Sequence, residues 1–578
     1  MYSIKGQLVD ILQQKIYAAE IILEDGRIQS ITPIGSDGLL PFILPGFIDA
    51  HVHIESSLLI PSEFARLAVV HGTVATVSDP HEIANVCGLP GVEFMLHNGG
   101  TVPFHFNFGA PSCVPATPFE TAGAALDAAK VAELLKNDDI KYLSEMMNFP
   151  GVLHKDPEVM EKIAAAHRLG KPVDGHAPGL RGEQARQYIA AGISTDHECV
   201  TAEEALDKLQ AGMKILIREG SAAKNFEALI GLLNDYPDQI MLCSDDKHPD
   251  SLLSGHINQL CARAVAKGID VFKVLKAACI NPVLHYKLDS GLLRAGDSAD
   301  LILVEDLEKF RVLRTYVSGI LVAEDGKTLI PPTRTAHAAP SPAPLPINNF
   351  HAELHTLADF AYPLDKWGEQ ENVEQVYVIE ALDGQLITNK LIVPVKEVVP
   401  ANGLFLQSNT EKDILKIVVV NRYQPAPVAK SFIRNFGLKR GALASSVAHD
   451  SHNIVAVGVD DESIVRAVNL VIAQKGGLSC VDPGTTGAPG SGSPAGSAGS
   501  SGDGPTEMIL PLPVAGLMSM DDGYAVAEAY TAIDTLAKSL GSPLSAPFMT
   551  LSFMALLVIP HLKLGDLGLF DGDGFKLV

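Results

Sequence analysis

The stretch LPGFIDAHVHIESS, from Leu44 to Ser57, decides the fold. It has the pattern of a buried β-strand and carries His51, His53 and Glu55 at every second position, so these side chains are expected to share one face. Burying two imidazoles and a carboxylate costs several kcal/mol unless a partner compensates for the lost water. A bound metal ion would remove that cost, so the stretch predicts a metal site at the end of a strand.

The composition indicates a globular protein of several domains. The chain has 578 residues, of which 47% are hydrophobic and 19% charged. Its net charge of −24 argues against a nucleic-acid partner, which would require a basic surface. The N-terminus has no apolar signal core, and the longest apolar run is too short to cross a bilayer, so we expect no membrane partner. Seven scattered cysteines are typical of a reducing compartment, which predicts a cytoplasmic protein.

β-like runs alternate with helical stretches over residues 44–286. The run TVATVSD, for example, precedes EIANVCGLPGVEFMLHN, and IMLCSDD precedes HINQLCARAVAKG. Such alternation predicts βα units around a parallel sheet. The region is about 240 residues long, close to the ~250 of an eightfold barrel. We therefore predict an α/β protein with a (β/α)8 TIM-type barrel, with a doubly wound open sheet as the alternative that periodicity leaves open.

The segments outside the barrel region differ from it in pattern. Residues 1–43 and 287–330 contain alternating strands with EDG turns, which predict a small β sandwich into which the barrel is inserted. Residues 331–347 form a Pro/Ala-rich linker. Residues 348–578 follow as a C-terminal domain of mixed α/β character. A Gly/Ser/Pro tract near 482–505 has too few apolar residues to order itself.

Side chains able to bind metals follow the β-like runs of the barrel region. They are His51 and His53 in HVH, Glu145 in SEMMNFPG, His176 in DGHAPG, His197 in TDHE and Asp245 in CSDDKHP. Barrel active sites lie at the carboxyl ends of the strands, so these six are expected to meet. Taken singly, a strand-end histidine is more often structural, and Asp245 could be a turn residue. Together they suit Mn, Fe or Zn, and exceed what one zinc site needs.

Longer motifs resemble a known family. The segment PGFIDAHVHIESS is similar to the opening motif of the amidohydrolase superfamily. Six further segments resemble motifs of the adenine deaminase family in particular: VSDPHEIANVCG, PSCVPATPFETAG, EMMNFPGV, DGHAPGL, STDHECVTAEEAL and LCSDDKHPDSL. Three later segments resemble the C-terminal domain of that family: AHDSHNIVAVG, LPLPVAGLMS and PFMTLSFMALLVIPHLKL. The resemblance implies a distorted (β/α)8 barrel with a binuclear Mn or Fe centre that converts adenine to hypoxanthine and ammonia.

The same resemblance implies a role for each of the six side chains. It assigns His51 and His53 to the first metal ion, His176 and His197 to the second, Glu145 to a bridging position, and Asp245 to metal binding and proton transfer. A metal lowers the pKa of bound water from about 15.7 to near 7, so metal-bound hydroxide would attack C6 of the purine. Ser144 stands where we expect glycine before the bridging residue, a difference that could tilt the Glu145 carboxylate.

The reaction needs a second acid, because N1 of the purine must accept a proton. The candidates, from HIESS and SDPHE, are Glu55, Asp79, His81 and Glu82, with Asp79 also a candidate substrate contact. Alternatively these residues cap helices or orient the metal ligands. Ser112 and Cys113 in SCVPATP could line the purine pocket, although a cysteine is more often simply a small buried residue.

We therefore expect adenine and water as partners, no nucleic acid, no membrane, and a homo-oligomer, specifically a dimer. Two other functions remain open. A cyclic amide hydrolase on the same scaffold usually bridges its metals with a modified lysine, whereas here that position is Glu145. A catalytically inactive binding protein would be supported by the loss of a ligand, but all six are present.

Overall fold

The computed structural model describes residues 1–35, 40–333, 347–363, 375–399, 405–484 and 505–578. These form two compact units: the first comprises Met1–Pro118, Ala122–Asn349 and Leu517–Glu528, and the second Phe119–Thr121, Phe350–Gly516 and Ala529–Val578. Most of the predicted linker and most of the predicted Gly/Ser tract lie outside the described residues. Within the described ranges, every helix is too short or too polar to cross a bilayer.

The first four strands begin a mixed sheet. They are β1 (Tyr2–Asp10), β2 (Lys15–Glu24), β3 (Arg27–Pro33) and β4 (Phe42–Pro45). Strand β1 pairs antiparallel with β2 and parallel with β4. Buried residues recur at about every second position along β2, as expected of a strand that is covered on one face.

Eight parallel strands follow in chain order. They are β5 (Phe47–Val52), β6 (Thr73–Ser78), β7 (His105–Ala110), β8 (Ile140–Met146), β9 (Val173–Gly175), β10 (Thr195–Asp196), β11 (Lys214–Arg218) and β12 (Ile240–Cys243). Strands β5 to β9 form one arc and β10 to β12 a second. The two arcs meet at two junctions, which we call seams. At one seam the Ser194 amide donates to the Val173 carbonyl at 2.9 Å, and at the other the Asp245 amide donates to the His51 carbonyl at 2.9 Å. The predicted distorted barrel is confirmed, and the open sheet is excluded.

Helices lie between the barrel strands and after the last of them. They are α1 (Pro61–Ala68), α2 (His81–Cys87), α3 (Leu89–Gly99), α4 (Ala128–Leu134), α5 (Phe149–Leu153), α6 (Pro157–Arg168), α7 (Gly182–Ala190), α8 (Ala202–Gln210), α9 (Phe226–Leu229), α10 (Pro249–Ser254), α11 (Ile257–Ala266), α12 (Val271–Leu275) and α13 (Asn281–Tyr286). The Asp156 carboxylate caps α6 by accepting from two of its first amides. Apolar helix residues such as Leu209 and Leu260 share a buried core with Ile217 of β11, which fixes the strands that carry the polar residues.

Four strands after the barrel complete the first sheet. They are β13 (Leu301–Val304), β14 (Val312–Val317), β15 (Ile320–Glu324) and β16 (Lys327–Thr328). Because β13 pairs antiparallel with β4, the segments before and after the barrel belong to one sheet. Its buried side forms a core that includes Ile21, Ile43 and Leu301. The barrel is thus inserted in a β-sandwich domain, as the sequence predicts.

The remaining strands of the described chain are β17 (Gln375–Ala381), β18 (Thr388–Pro394), β19 (Ile414–Val420), β20 (Ala429–Arg434), β21 (Ala442–Ser445), β22 (Ile454–Gly458), β23 (Gly477–Asp482), β24 (Thr506–Pro511), β25 (Leu562–Gly565), β26 (Gly568–Asp571) and β27 (Lys576–Leu577). The remaining helices are α14 (Leu357–Phe360), α15 (Asp461–Ala473), α16 (Gly523–Ser539) and α17 (Pro547–Phe553). Strands β17 to β24 form one sheet. Ile464 and Val468 of α15 pack in its core, which confirms a separate C-terminal domain of mixed α/β character.

Candidate metal centre

The carboxyl end of the barrel gathers the six predicted ligands. His51 lies in β5 with His53 just beyond it, Glu145 lies in β8, and His176, His197 and Asp245 follow β9, β10 and β12. All six side chains are buried. Parallel barrel strands end at one face, so residues that are far apart in sequence meet there.

Glu145 lies between two groups of histidines. Its Oε1 is 3.2 Å from Nε2 of His53. Its Oε2 is 2.7 Å from Nδ1 of His176 and 3.2 Å from Nε2 of His197. The two carboxylate oxygens therefore face both predicted pairs of metal ligands, which is the arrangement that a bridging ligand requires.

Asp245 is held in an uncommon backbone conformation. Its φ of 58° lies in the left-handed region, which aspartate adopts more readily than most residues. Its Oδ1 lies 3.5 Å from Nε2 of His51 and 3.4 Å from Nε2 of His53. The turn after β12 thus directs one carboxylate oxygen at His51 of β5 and at His53 just beyond that strand.

The donor set fits divalent cations. Among the described residues, neither ring nitrogen of His51 has a hydrogen-bond partner, nor does Nε2 of His176, although both rings are buried. Burial would lower the pKa of His53 and His197, but the neighbouring carboxylates outweigh it and raise both pKa values well above the usual range. The nitrogens therefore lie in strongly negative surroundings, and imidazole with carboxylate is a donor set that Mn, Fe and Zn accept.

The segment that follows β6 and runs into the first turn of α2 adds three predicted residues to the edge of the cluster. Nδ1 of His81 is 3.0 Å from Oδ2 of Asp79 and 3.6 Å from Oε1 of Glu145. Its Nε2 is 3.4 Å from Oε1 of Glu82. His53, Asp79, His81 and Glu145 offer ligand atoms that all lie within 4.8 Å of one another. The structure thus brings Asp79, His81 and Glu82 to the predicted metal centre.

Glu55 departs from the expected position. Strand β5 ends at Val52, and Ile54–Ser57 form a 3-10 turn, so the alternation does not reach Glu55. The prediction that His51, His53 and Glu55 share one strand face is therefore wrong for Glu55. Instead, its Oε1 accepts from the amide of Ile83 at 3.1 Å, and burial raises the pKa of its carboxyl to about 7.

Ser112 and Cys113 lie beside the backbone of the Glu145 strand. The Ser112 hydroxyl donates to the Glu145 carbonyl at 2.5 Å, and the Lys162 ammonium donates to the Ser112 carbonyl at 3.0 Å. Cys113 is buried, and burial raises the pKa of its thiol. These bonds support the position of Glu145, while contact of either residue with a purine stays a prediction.

The side chain of Ser144 in β8 packs against Gly109 of the neighbouring strand β7. An added Cβ at Gly109 would collide with the Ser144 hydroxyl, so the glycine leaves the space that the serine occupies. Successive residues of a strand point to opposite faces, which places this contact on the side of β8 away from the Glu145 carboxylate.

Comparisons with known proteins extend over the whole chain. The amidohydrolase family profile matches residues 42–322, and the adenine deaminase C-terminal domain profile matches residues 385–488 and 496–576. The adenine deaminase of Salinibacter ruber is 52% identical over 581 residues, covering 100% of this chain and 98% of that protein. The adenine deaminases of Sulfurovum sp. and Methanosarcina mazei are 51% and 49% identical, each over 580 residues, covering 100% of this chain and 99% of each protein. The chain belongs to the adenine deaminase family of the amidohydrolase superfamily.

Two charged residues of this adenine deaminase family member were missed by the sequence reasoning. Arg218 ends β11, and its guanidinium bonds to Glu198 and to Asp245. Burial would raise the pKa of Glu198, but Arg218 and the neighbouring histidines lower it to about 2. The signal for Arg218 was present in KILIR, a β-like run that ends in a charged residue as the ligand-bearing runs do.

A second buried polar group, which we call the Asp49 network, joins Asp49, Thr73, Ser244 and His256. The Asp49 carboxylate accepts from the Ser244 amide at 2.9 Å, from the Ser244 hydroxyl, and from Nε2 of His256 at 2.8 Å. Nδ1 of His256 lies 2.7 Å from the Thr73 hydroxyl. In this family member, the network ties β5 to the segment that follows β12.

Proposed function

We propose that this protein catalyses the hydrolytic deamination of adenine to hypoxanthine and ammonia. Full-length identity of 52%, 51% and 49% to three proteins named adenine deaminase is the observation that carries the proposal. The C-terminal family profile also matches, so the assignment does not rest on the barrel alone. The buried cluster of imidazoles and carboxylates provides a site for the reaction.

We propose that two divalent ions, Mn²⁺ or Fe²⁺, bind at this cluster. The residues that would hold them are His51, His53 and Asp245 for one, His176 and His197 for the other, and Glu145 for both. The support is that the two Glu145 oxygens face histidines of both groups. Such ions, when bound, lower the pKa of coordinated water from about 15.7 to near 7 and so supply a nucleophile at neutral pH.

Asp245 is the residue that we propose transfers a proton during the reaction. As the C6–O bond forms and the C6–N6 bond breaks, one proton of the attacking water must end on ammonia and the other on N1. The Asp245 Oδ1 lies on the side of His51 and His53, so a carboxylate oxygen is present where water would be activated. General acid–base catalysis requires such a group within hydrogen-bond reach.

The proton for N1 is proposed to come from the β6–α2 side of the cluster. The candidates there remain Glu55, Asp79, His81 and Glu82. Oδ2 of Asp79 lies 3.0 Å from Nδ1 of His81, and Nε2 of the same ring lies 3.4 Å from Oε1 of Glu82. Glu55 bonds to the Ile83 amide in α2. The four candidates are therefore grouped around the start of α2, where Nδ1 of His81 lies 3.6 Å from Oε1 of Glu145, which supports delivery of the second proton from that segment.

The test is to incubate metal-reconstituted protein with adenine, adenosine, guanine and cytosine and to measure ammonia release. We expect kcat/KM for adenine to exceed that for adenosine by at least about 100-fold, because a pocket closed around the N9 edge leaves polar groups unpaired when a ribose is attached. Chelated protein is the control. A preference for adenosine, or no release from adenine, would contradict the proposal. Metal analysis in the same samples should give two ions per chain. Full activity with one ion per chain would contradict the proposal of a two-ion centre.

We further propose that the protein is a cytoplasmic homodimer. All seven cysteines are free thiols, which supports a reducing compartment. Light scattering coupled to gel filtration measures the mass of the assembly directly, and a monomer at micromolar concentration would reject the dimer.

A further inference from the structure

The guanidinium of Arg218 lies between two carboxylates at the edge of the metal cluster. Its Nη1 is 2.5 Å from Oδ2 of Asp245 and 2.5 Å from Oε1 of Glu198, and its Nη2 is 2.7 Å from Oε2 of Glu198. Arg218 is buried. A planar guanidinium can bond two carboxylates at fixed angles, whereas a lysine ammonium cannot reproduce that geometry.

The bond to Arg218 divides the two oxygens of Asp245 between different neighbours. Oδ2 is engaged by Arg218, and Oδ1 faces the ring nitrogens of His51 and His53 at 3.5 and 3.4 Å. Rotation of the carboxylate would break the bond to the guanidinium. Asp245 therefore presents a single oxygen to the ligand side.

Glu198 lies close enough to the cluster to compete for a cation. Its Oε1 is 3.4 Å from Nε2 of His197 and 3.6 Å from Nδ1 of His176. Both of its oxygens nevertheless bond to Arg218. The guanidinium of Arg218 thus bonds to both oxygens of Glu198, a carboxylate that would otherwise be available as a further metal ligand.

The position of Arg218 is fixed by its backbone as well as by its ion pairs. Its amide donates to Oδ1 of Asn225 at 2.8 Å. The Asn225 amide group donates in turn to the carbonyls of His197 and Cys199 at 3.1 and 3.0 Å. The end of β11 is therefore tied to the segment that carries both His197 and Glu198.

We propose that Arg218 is a positioning residue of the metal centre, which holds Asp245 with one oxygen toward the cluster and keeps Glu198 from binding a cation. The effect on turnover rests on the proposed adenine deamination. The effect on metal binding does not, so the two can be measured separately.

The experiment compares Arg218→Lys and Arg218→Gln in Mn²⁺ titrations and adenine kinetics. Lysine keeps the charge and loses the geometry, so Mn²⁺ affinity should stay within about threefold while kcat falls at least about tenfold with little change in KM. Glutamine removes a cation beside a dication site, so Mn²⁺ should bind at least about tenfold more tightly while kcat falls further. In the double variant Arg218→Gln/Glu198→Gln, part of the gain in affinity should be reversed.

The matched control is Arg263→Lys. Arg263 in α11 also pairs with two carboxylates, Glu219 and Glu227, each at 2.8 Å, but its side chain is partly exposed to solvent. This substitution should change neither Mn²⁺ affinity nor kcat. Melting temperatures of all variants report whether each one folds.

Unchanged or weakened Mn²⁺ binding in Arg218→Gln, or wild-type kcat in Arg218→Lys, would overturn the proposal. If Arg218→Gln does not fold, the kcat of Arg218→Lys decides. If the wild-type protein does not deaminate adenine, the proposed function fails, and the Mn²⁺ titrations still decide the role of Arg218.

Discussion

His51 and His256 are buried histidines of the same barrel, each 1% exposed, yet their hydrogen bonding is opposite. Within the described residues, neither ring nitrogen of His51 has a hydrogen-bond partner. In His256, Nε2 bonds to Asp49 and Nδ1 to Thr73. Residue type and burial are therefore the same at both places. What distinguishes the metal centre is unsatisfied bonding capacity, which buried polar groups rarely retain unless a ligand uses it.

The carboxylates of the two regions differ in the same way. The Asp49 carboxylate accepts hydrogen bonds from the amides of His51 and Ser244, from the Ser244 hydroxyl and from Nε2 of His256, and is thereby satisfied within the protein. Asp245 directs one oxygen at the imidazole nitrogens of His51 and His53, at 3.5 and 3.4 Å. The comparison implies that substitutions in the metal centre reduce activity, whereas substitutions in the Asp49 network reduce stability.

Removal of the cations should have the largest effect. Dialysis against a chelator is expected to lower ammonia release from adenine more than about 1,000-fold, because water at its unperturbed pKa is a poor nucleophile. Readdition of Mn²⁺ or Fe²⁺ should restore the rate. A His256→Gln variant is the control, since it should respond to chelation as the wild type does. Full activity of protein with no detectable metal would contradict the expectation.

Asp245→Asn should lower kcat by about 10²–10⁴-fold, the usual contribution of general acid–base catalysis. Asparagine is nearly isosteric and also tolerates a φ of 58°, so the turn should survive. Steady-state kinetics and a melting curve measure the two effects. A loss of less than about tenfold would remove Asp245 from proton transfer.

Paired substitutions of the two histidines test the comparison directly. His51→Asn should reduce bound Mn²⁺ below the wild-type amount and leave the stability of the metal-free protein nearly unchanged. His256→Asn should keep the wild-type amount of Mn²⁺ but lower the free energy of unfolding by about 1–3 kcal/mol, because it leaves the carboxylate of Asp49 short of a donor. Equal metal loss in both variants would show that the two regions do not differ as we infer.

The smallest effect is expected at His105, where β7 begins. Its Nε2 lies 2.9 Å from Oδ1 of Asp300. Burial opposes both charges, but the pairing outweighs it, raising the pKa of His105 and lowering that of Asp300. The stabilisation is therefore full between about pH 3.8 and 6.5, the unfolded values. It is lost as pH rises through the raised pKa of His105 or falls through the lowered pKa of Asp300.

Urea unfolding of His105→Gln measures this contribution. The substitution should destabilise the protein more at pH 5.5 than at pH 9, by on the order of 1 kcal/mol. Asp300→Asn provides the reciprocal variant and should show the same difference. An equal effect at both pH values would mean that the pair is not charged in the folded protein.

The barrel and the meeting of the six proposed ligands could be predicted because each of these residues lies in or soon after a local β-like run. The alternation of side chains then predicts which face of the strand each residue points to, and barrel geometry predicts that the site lies at the carboxyl ends of the strands. Glu55 was misplaced because β5 ends at Val52, three residues before Glu55, and the chain then enters a 3-10 turn. The pattern of apolar residues does not mark that change.

Long-range partners could not be predicted in the same way. Asp49 has the same strand alternation as His51, but its partners Ser244 and His256 lie 195 and 207 positions along the chain. Arg218 ends a recognisable run, yet its pairing with Glu198 depends on how two neighbouring turns fold. Local sequence identifies groups able to bind metals; the three-dimensional contacts decide which of them are already satisfied.

The two seams of the barrel imply that bound cations would also hold the two arcs of strands together. The first arc carries His51, His53, Glu145 and His176, and the second carries His197 and Asp245. Ions held by both arcs would act as removable cross-links between two separate sheets. In the metal-free protein, hydrogen–deuterium exchange should therefore accelerate first at the amides of Ser194 and Asp245, which span the seams, and last within the ladders of each arc.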